Sequence, residues 1–212
     1  MVNNINMYYE IRGKGPPLLM IMGWTANTDW WPENFLELLE RHFTLILFDN
    51  RGAGRTESSR GCYHIDQFAG DAVALMDALD IRQASVFGVS MGGMIAQEMA
   101  ISNPGRIKKL ILGCTSCGSR NGRSVSLVGL YYALVYGLRF PPNLDKWLIS
   151  LTLSRYSSNN TKDREFISRI KVTQIGNKDK FKQFYAVKRF ESYSRLKYIN
   201  CPVLVMAGTK DL

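Results

Sequence analysis

The sequence predicts an α/β fold: a mostly parallel, doubly wound sheet with a helical insertion, its last strand and helix missing. Three observations predict it. Short unbroken apolar runs alternate with stretches of helical periodicity as far as residue 113. The runs end at Gly23, Asp49, Ser90 and Cys114, so their following loops converge on the carboxyl rim, where ligands of such sheets bind. From 117 to 197 the alternation stops and only helical patterns remain, before one more apolar run at 202–207.

In chain order, residues 6–12 alternate as an opening strand and Gly13-Lys14-Gly15-Pro16 reads as a turn. Residues 17–22 are short and wholly apolar, which suits a buried parallel strand. A helix is predicted over 32–41 with Phe35, Leu36, Leu38 and Leu39 inward, then a buried strand over 43–48. The helix predicted over 66–79 uses Phe68, Val73, Leu75, Met76 and Leu79 as its apolar positions. A strand leads into Ser90, a helix follows it, and 110–113 form a further strand. Within the insertion the helical candidates are 124–138, 144–153, 163–174 and 179–193, with Phe181, Phe184, Val187 and Phe190 as the apolar stripe of the last. Residues 202–207 are expected to form another buried strand, which the missing last strand would leave as a hydrophobic edge. The chain therefore divides into a core first part (1–116), a helical cap insertion (117–197) and a resumed core (198–212).

Gly88-Val89-Ser90-Met91-Gly92 is a G-x-S-x-G match in the strand–turn–helix setting that this motif requires. A serine on so tight a turn needs neighbours without side chains behind it, which Gly88 and Gly92 supply; Gly93 and Ala96 would let the helix lie close to the sheet.

Of 212 residues, 46% are apolar and 21% charged, the balance of one sizeable globular core. No basic n-region with an apolar h-region opens the chain, and no run approaches the roughly 20 apolar residues of a membrane span. A cytoplasmic location is expected. The net charge of +9 is uneven: seven Lys/Arg face twelve Asp/Glu up to Gly105, and twenty face six after it. The basic residues are interleaved with helical apolar spacing and accompany no nucleic-acid motif, so a solvated basic face is expected and no nucleic-acid partner. Cys114-x-x-Cys117 lacks a second pair for zinc, and Cys62, Cys114, Cys117 and Cys201 are read as reduced thiols. No metal or cofactor is expected.

With these pieces in order, the chain resembles the α/β-hydrolase superfamily, specifically its cofactor-free, capped esterases and lactonases, along essentially its whole length. The resemblance rests on PPLLMIMG, FDNRGAGRT, FGVSMGGMIAQ, KKLILGCTS and CPVLVMAGTKD, in the family's order. It implies a triad in the order Ser, acid, His, with Ser90 as nucleophile and Asp211, in G-x-x-D after the penultimate strand, as acid. It also implies an oxyanion hole from the backbone N–H groups of Trp24 and Met91. Met22-Gly23 stands where the family commonly has His-Gly; the donor is a backbone group, so the hole can survive the change. The Trp24 side chain is expected to line the acyl pocket, Trp30 and Trp31 to pack the following helix, and Asp49 and Arg51 to shape their loop.

The family's catalytic histidine lies one strand further on. The chain's two histidines, His42 before a strand and His64 before a helix, match no family position, and truncation before the base is the expectation. The implied function is hydrolysis of a small ester or lactone through an acyl-serine intermediate, without turnover in this piece alone. Amide or C–C bond hydrolysis or acyl transfer would use the same serine. A non-catalytic ligand-binding protein of the same fold, or more weakly a basic surface-binding module, are the alternatives from other classes. Nothing in the sequence sets an oligomeric state.

Overall fold

Apolar runs that must bury both faces build the centre of the structure. The structure, a computed structural model, describes residues 1–118 and 176–208. All of them belong to one unit, Met1–Gly122 with Thr173–Gly208. The strands are β1 (Tyr9–Arg12), β2 (Pro17–Ile21), β3 (Thr44–Phe48), β4 (Ala84–Val89), β5 (Ile107–Gly113) and β6 (Val203–Met206). They form one six-stranded sheet in the order β1-β3-β2-β4-β5-β6, parallel except for the antiparallel pairing of β1 with β3.

Side chains alternate across this sheet with period two. Leu19, Ile21, Ile46, Phe48, Val86 and Leu110 face one core, which α2 (Ile65–Ala78) and α3 (Met91–Ser102) cover with Phe68, Leu75, Met76, Ile95 and Met99. Leu18, Met20, Leu45, Leu47 and Phe87 face the other, covered by Trp31 and by Leu36 of α1 (Glu33–Leu39). Helices on both faces make the sheet doubly wound. Each such buried aliphatic or aromatic side chain contributes about 1.5–3 kcal/mol by leaving water. Trp31 stacks on Phe35 at 6.2 Å and tilts against Phe87 at 5.4 Å, tying the approach to α1 onto the sheet.

Two expectations need correction. Leu38 is 56% exposed, because the single short turn set of α1 buries only Leu36 fully. The strand expected at 110–113 begins at Ile107, where polar Lys108 and Lys109 had hidden its start. The run at 202–207 forms a strand, β6, paired in parallel with β5. The candidates at 124–138, 144–153 and 163–174 lie outside the described residues.

The helical candidate at 179–193 is α4 (Asn177–Arg189), followed by a 3-10 helix at Tyr193–Tyr198. Its buried face differs from the expected stripe. Asp179, Gln183, Ala186 and Phe190 are inward, whereas Phe181 is exposed. These positions, spaced by four, three and four, fall along one helical face.

Behind the helix end, Arg195 grips Glu98 of α3 through two bonds of 2.8 Å, and Ser192 Oγ donates to Gln97, whose amide donates to the Ser116 carbonyl. Burial pushes the Glu98 carboxyl up, but hydrogen bonds from Arg195 and Ser102 outweigh it and hold it below the usual range.

Candidate active site

Strand order places the site before any side chain does. From β2 the chain moves outward to β3, then crosses back to β4 on the other side of β2. The carboxyl ends of β2 and β4 therefore bound the switch point, where open α/β sheets leave a crevice. Gly23 follows one of these ends and Ser90 the other.

Ser90 adopts φ 56°, ψ −118°, a left-handed conformation that a side-chain-bearing residue enters only under constraint. Its backbone supplies that constraint. Ser90 N–H donates to the Gly113 carbonyl at 2.9 Å, while its own carbonyl accepts from Gly93 N–H, Met94 N–H and the Thr115 hydroxyl. A Cβ on Gly88 would collide with the Gly92 backbone, and one on Gly92 would collide with the carbonyls of Ile21 and Met22. Both glycines are thus required by close approach, as the motif implies. A Cβ on Gly93 would meet the Thr115 side chain, so Gly93 makes room for the loop after β5; Gly92 is the residue that lets α3 lie against β2.

The side chain of Ser90 is exposed at the rim, with the Gly23 loop beside it: a Cβ on Gly23 would lie 3.1 Å from Ser90 Cβ and 3.6 Å from its Oγ. Met91 is the first residue of α3, and the leading amides of a helix have no intrahelical acceptor. A hydroxyl so placed, with helix amides and their partial positive charge alongside, can attack an electrophilic carbon and leave the resulting negative charge against N–H donors.

The loop after β2 is held from three directions. Asn50 Nδ2 donates to the Met22 carbonyl at 2.9 Å. Thr25, at φ 63°, donates its N–H to Gln183 Oε1 at 3.0 Å, and the Trp24 indole donates to the Lys180 carbonyl at 3.0 Å. Trp24 also packs on Phe184, with ring centroids 5.8 Å apart.

Asp49 and Arg51 shape the neighbouring loop. Asp49, fully buried, accepts from Thr28 N–H, Arg55 N–H and Arg55 Nε. Arg51 and Asp71, both buried, form a two-bond ion pair, and the Asn3 amide donates to the same carboxylate at 2.6 Å. The hydrogen bonds it donates to Asp71 hold the Arg51 guanidinium above its ordinary value.

The structure thus gathers Gly23, Trp24, Gly88, Ser90, Met91 and Gly92 at one end of β2 and β4. Asp211 lies outside the described residues. His42 is exposed in the turn entering β3, at the opposite end of the strands from Ser90; His64 is exposed ahead of α2 and caps it with no side-chain bond. Cys62, Cys117 and Cys201 are free thiols. Among the described residues no group of three or more His, Cys, Asp or Glu could hold a metal ion, and no helix is long and apolar enough to cross a membrane.

Sequence reasoning missed Gln183 and Asp179. Asp179 accepts from the hydroxyls of Tyr63 and Ser58 at 2.7 Å and from Lys182, fastening α4 to the 58–63 loop. Burial pushes its carboxyl up, but those hydrogen bonds outweigh burial and hold it below the ordinary aspartate range. A folded-state value below the unfolded one means that this anchor is fully present above about pH 4 and is lost as pH falls through the lowered value. Amide exchange along α4 is expected to accelerate below pH 4 ahead of exchange in the central strands. In Asp179→Asn this early acid step should disappear.

A family model described as alpha/beta hydrolase fold matches residues 16–212. A candidate non-heme bromoperoxidase of Mycobacterium tuberculosis is 35% identical over 144 residues, covering 66% of this chain and 54% of that protein. A 3-oxoadipate enol-lactonase of Acinetobacter baylyi is 35% identical over 101 residues, covering 48% of this chain and 38% of the lactonase. The chain spans about half the length of these relatives or less. Among solved structures, an enol-lactonase of Burkholderia xenovorans superposes with a TM-score of 0.79 at 23% identity, over 98% of this chain and 80% of that one, a likeness of fold.

Proposed function

The chain belongs to the alpha/beta hydrolase family, and from that premise we propose that it is a serine hydrolase acting on a small ester or lactone through an acyl-serine intermediate. One observation carries the reading: Ser90 is forced into a left-handed turn at the switch point, its hydroxyl facing the Gly23–Trp24 loop. The lactonase among its relatives supports the substrate class.

In this reading Ser90 Oγ attacks the acyl carbon, and the N–H groups of Met91 and Trp24 receive the developing oxyanion. Asp211 orients and stabilises a histidine that takes the Ser90 proton and returns it to the leaving oxygen. That histidine is neither His42 nor His64; the proposal places it beyond Leu212. Water then releases the acid by the same relay in reverse. The relay needs no metal or organic cofactor.

The test is hydrolysis of a short activated ester by the chain extended in frame past Leu212. Ser90→Ala is expected to lower kcat by at least about 10³-fold while the fold persists. The 212-residue chain alone is expected to turn over slowly, retaining only hole and binding contributions. Equal rates for the parent and Ser90→Ala would remove the serine-hydrolase reading. Robust Ser90-dependent turnover by the 212-residue chain would show instead that the base has been misassigned.

A further inference from the structure

We infer that Gln183 is a positioning residue for the oxyanion loop, acting through the Trp24–Thr25 peptide. The inference rests on the proposed roles of Ser90 and Trp24, but the contacts that carry it stand apart from them. Gln183 is 0% exposed although it sits in a helix of strongly polar sequence, Asn177–Arg189. Both ends of its amide are used. Oε1 accepts from Thr25 N–H at 3.0 Å, and Nε2 donates to the Arg51 carbonyl at 3.0 Å. A buried primary amide bridging two loops in this way is a fixed spacer: each backbone group would otherwise be buried without a partner.

The spacer meets the chain at a telling position. Thr25 is a β-branched residue at φ 63°, a conformation that must be imposed from outside. It directly follows Trp24, the proposed oxyanion donor, so the bond from Gln183 fixes the peptide next to the Gly23–Trp24 amide. One turn earlier, the Lys180 carbonyl accepts from the Trp24 indole at 3.0 Å. Trp24 is therefore held through its side chain and through the following peptide by one helix. Met22, which enters this loop, is an apolar residue that offers it no side-chain hydrogen bond. Gln183 supplies that restraint from α4.

The helix is itself seated. Asp179 is bonded to Tyr63 and Ser58, and Gly52, at φ 69°, admits it: a Cβ there would come within 3.0 Å of Asp179 Cβ. The segment leaving the insertion is thereby coupled to the loop beside Ser90.

Two variants test the assignment. Gln183→Leu keeps the bulk and removes both hydrogen bonds. Gln183→Glu keeps the acceptor when ionised and, once protonated, restores the donor toward the Arg51 carbonyl. Amide exchange at Thr25 is followed in the 212-residue chain against Ile46 and Val86 as core references. Gln183→Leu is expected to accelerate exchange at Thr25 by tenfold or more with the references unchanged. Relative to the parent at each pH, Gln183→Glu should regain protection as pH falls from 8 to 5. Unchanged exchange at Thr25 in Gln183→Leu, or a rise shared equally by Ile46 and Val86, would overturn the assignment.

The second arm measures ester hydrolysis in the chain extended past Leu212. Gln183→Leu should lower kcat by 10- to 100-fold with KM nearly unchanged, since the restraint acts where charge develops. A change confined to KM would overturn the positioning role. Should the parent show no Ser90-dependent turnover, the hydrolase reading falls, and the exchange result alone decides whether Gln183 holds the loop.

Discussion

Replacing Asp71 with alanine is expected to destabilise the folded chain by about 3–5 kcal/mol, because it strands the Arg51 guanidinium as an unpaired charge in the interior. Side-chain exposures of 5% for Arg51 and 1% for Asp71 leave both groups almost wholly out of water. The geometry adds to the loss, since Arg51 Nε and Nη2 and the Asn3 amide all point at the missing carboxylate. In thermal unfolding this corresponds to a fall in Tm of roughly 10 °C for a domain of this size. Two comparisons isolate the cause. Arg51→Met combined with Asp71→Leu should recover most of the loss, since neither charge is then left alone. Glu33→Ala, which removes one of the two carboxylate partners of Arg12 at a side-chain exposure of 64% and leaves Glu40, should cost no more than about 1 kcal/mol. A Glu33→Ala variant as damaged as Asp71→Ala would mean that burial is not what separates the two pairs. The effect reaches the candidate site, because the Arg51 carbonyl receives the Gln183 amide and Asn50 next to it holds the Met22 carbonyl.

Asp71 and Gln183 also mark where the sequence stops being legible. The central strands announce themselves because a parallel strand buried on both faces must be apolar throughout, as Leu18–Ile21 and Leu45–Phe48 are. The turn at Ser90 is legible because two glycines at fixed offsets have one steric use, and the structure finds both in close approach to backbone. Polar residues carry no such mark. The helical candidate at 179–193 reads with Phe181, Phe184, Val187 and Phe190 as its apolar stripe. The structure turns Asp179 and Gln183 inward and leaves Phe181 out. Their partners lie over a hundred residues away, at Tyr63, Thr25 and Arg51. No local pattern specifies such a pairing. Asp211 follows β6 and lies outside the described residues, so its role rests on the G-x-x-D resemblance alone.

Gly92→Ala should reverse the usual sign of a helical glycine substitution. In an ordinary helix interior, alanine is favoured over glycine by roughly 1 kcal/mol. Gly70, in α2, is such a site: an added Cβ would meet nothing within 4 Å, so Gly70→Ala is expected to stabilise by up to about 1 kcal/mol. At Gly92 the added Cβ would run into the carbonyls of Ile21 and Met22. These are backbone atoms at the end of a central strand, and neither can swing aside as a flexible side chain could. Either α3 or the end of β2 must retreat, at a cost of about 1–3 kcal/mol for overpacking that exceeds the helix-propensity gain. The displacement falls between Ser90 and the Gly23–Trp24 loop, the two sides of the proposed oxyanion site. A shift of about 1 Å there can cost on the order of 100-fold in rate. Chemical denaturation of both variants should therefore move their midpoints in opposite directions, and only Gly92→Ala should lose Ser90-dependent turnover. A Gly92→Ala protein as stable as Gly70→Ala would mean that α3 does not lie against β2 this closely. The turn would then have no steric reason to present Ser90 at the rim.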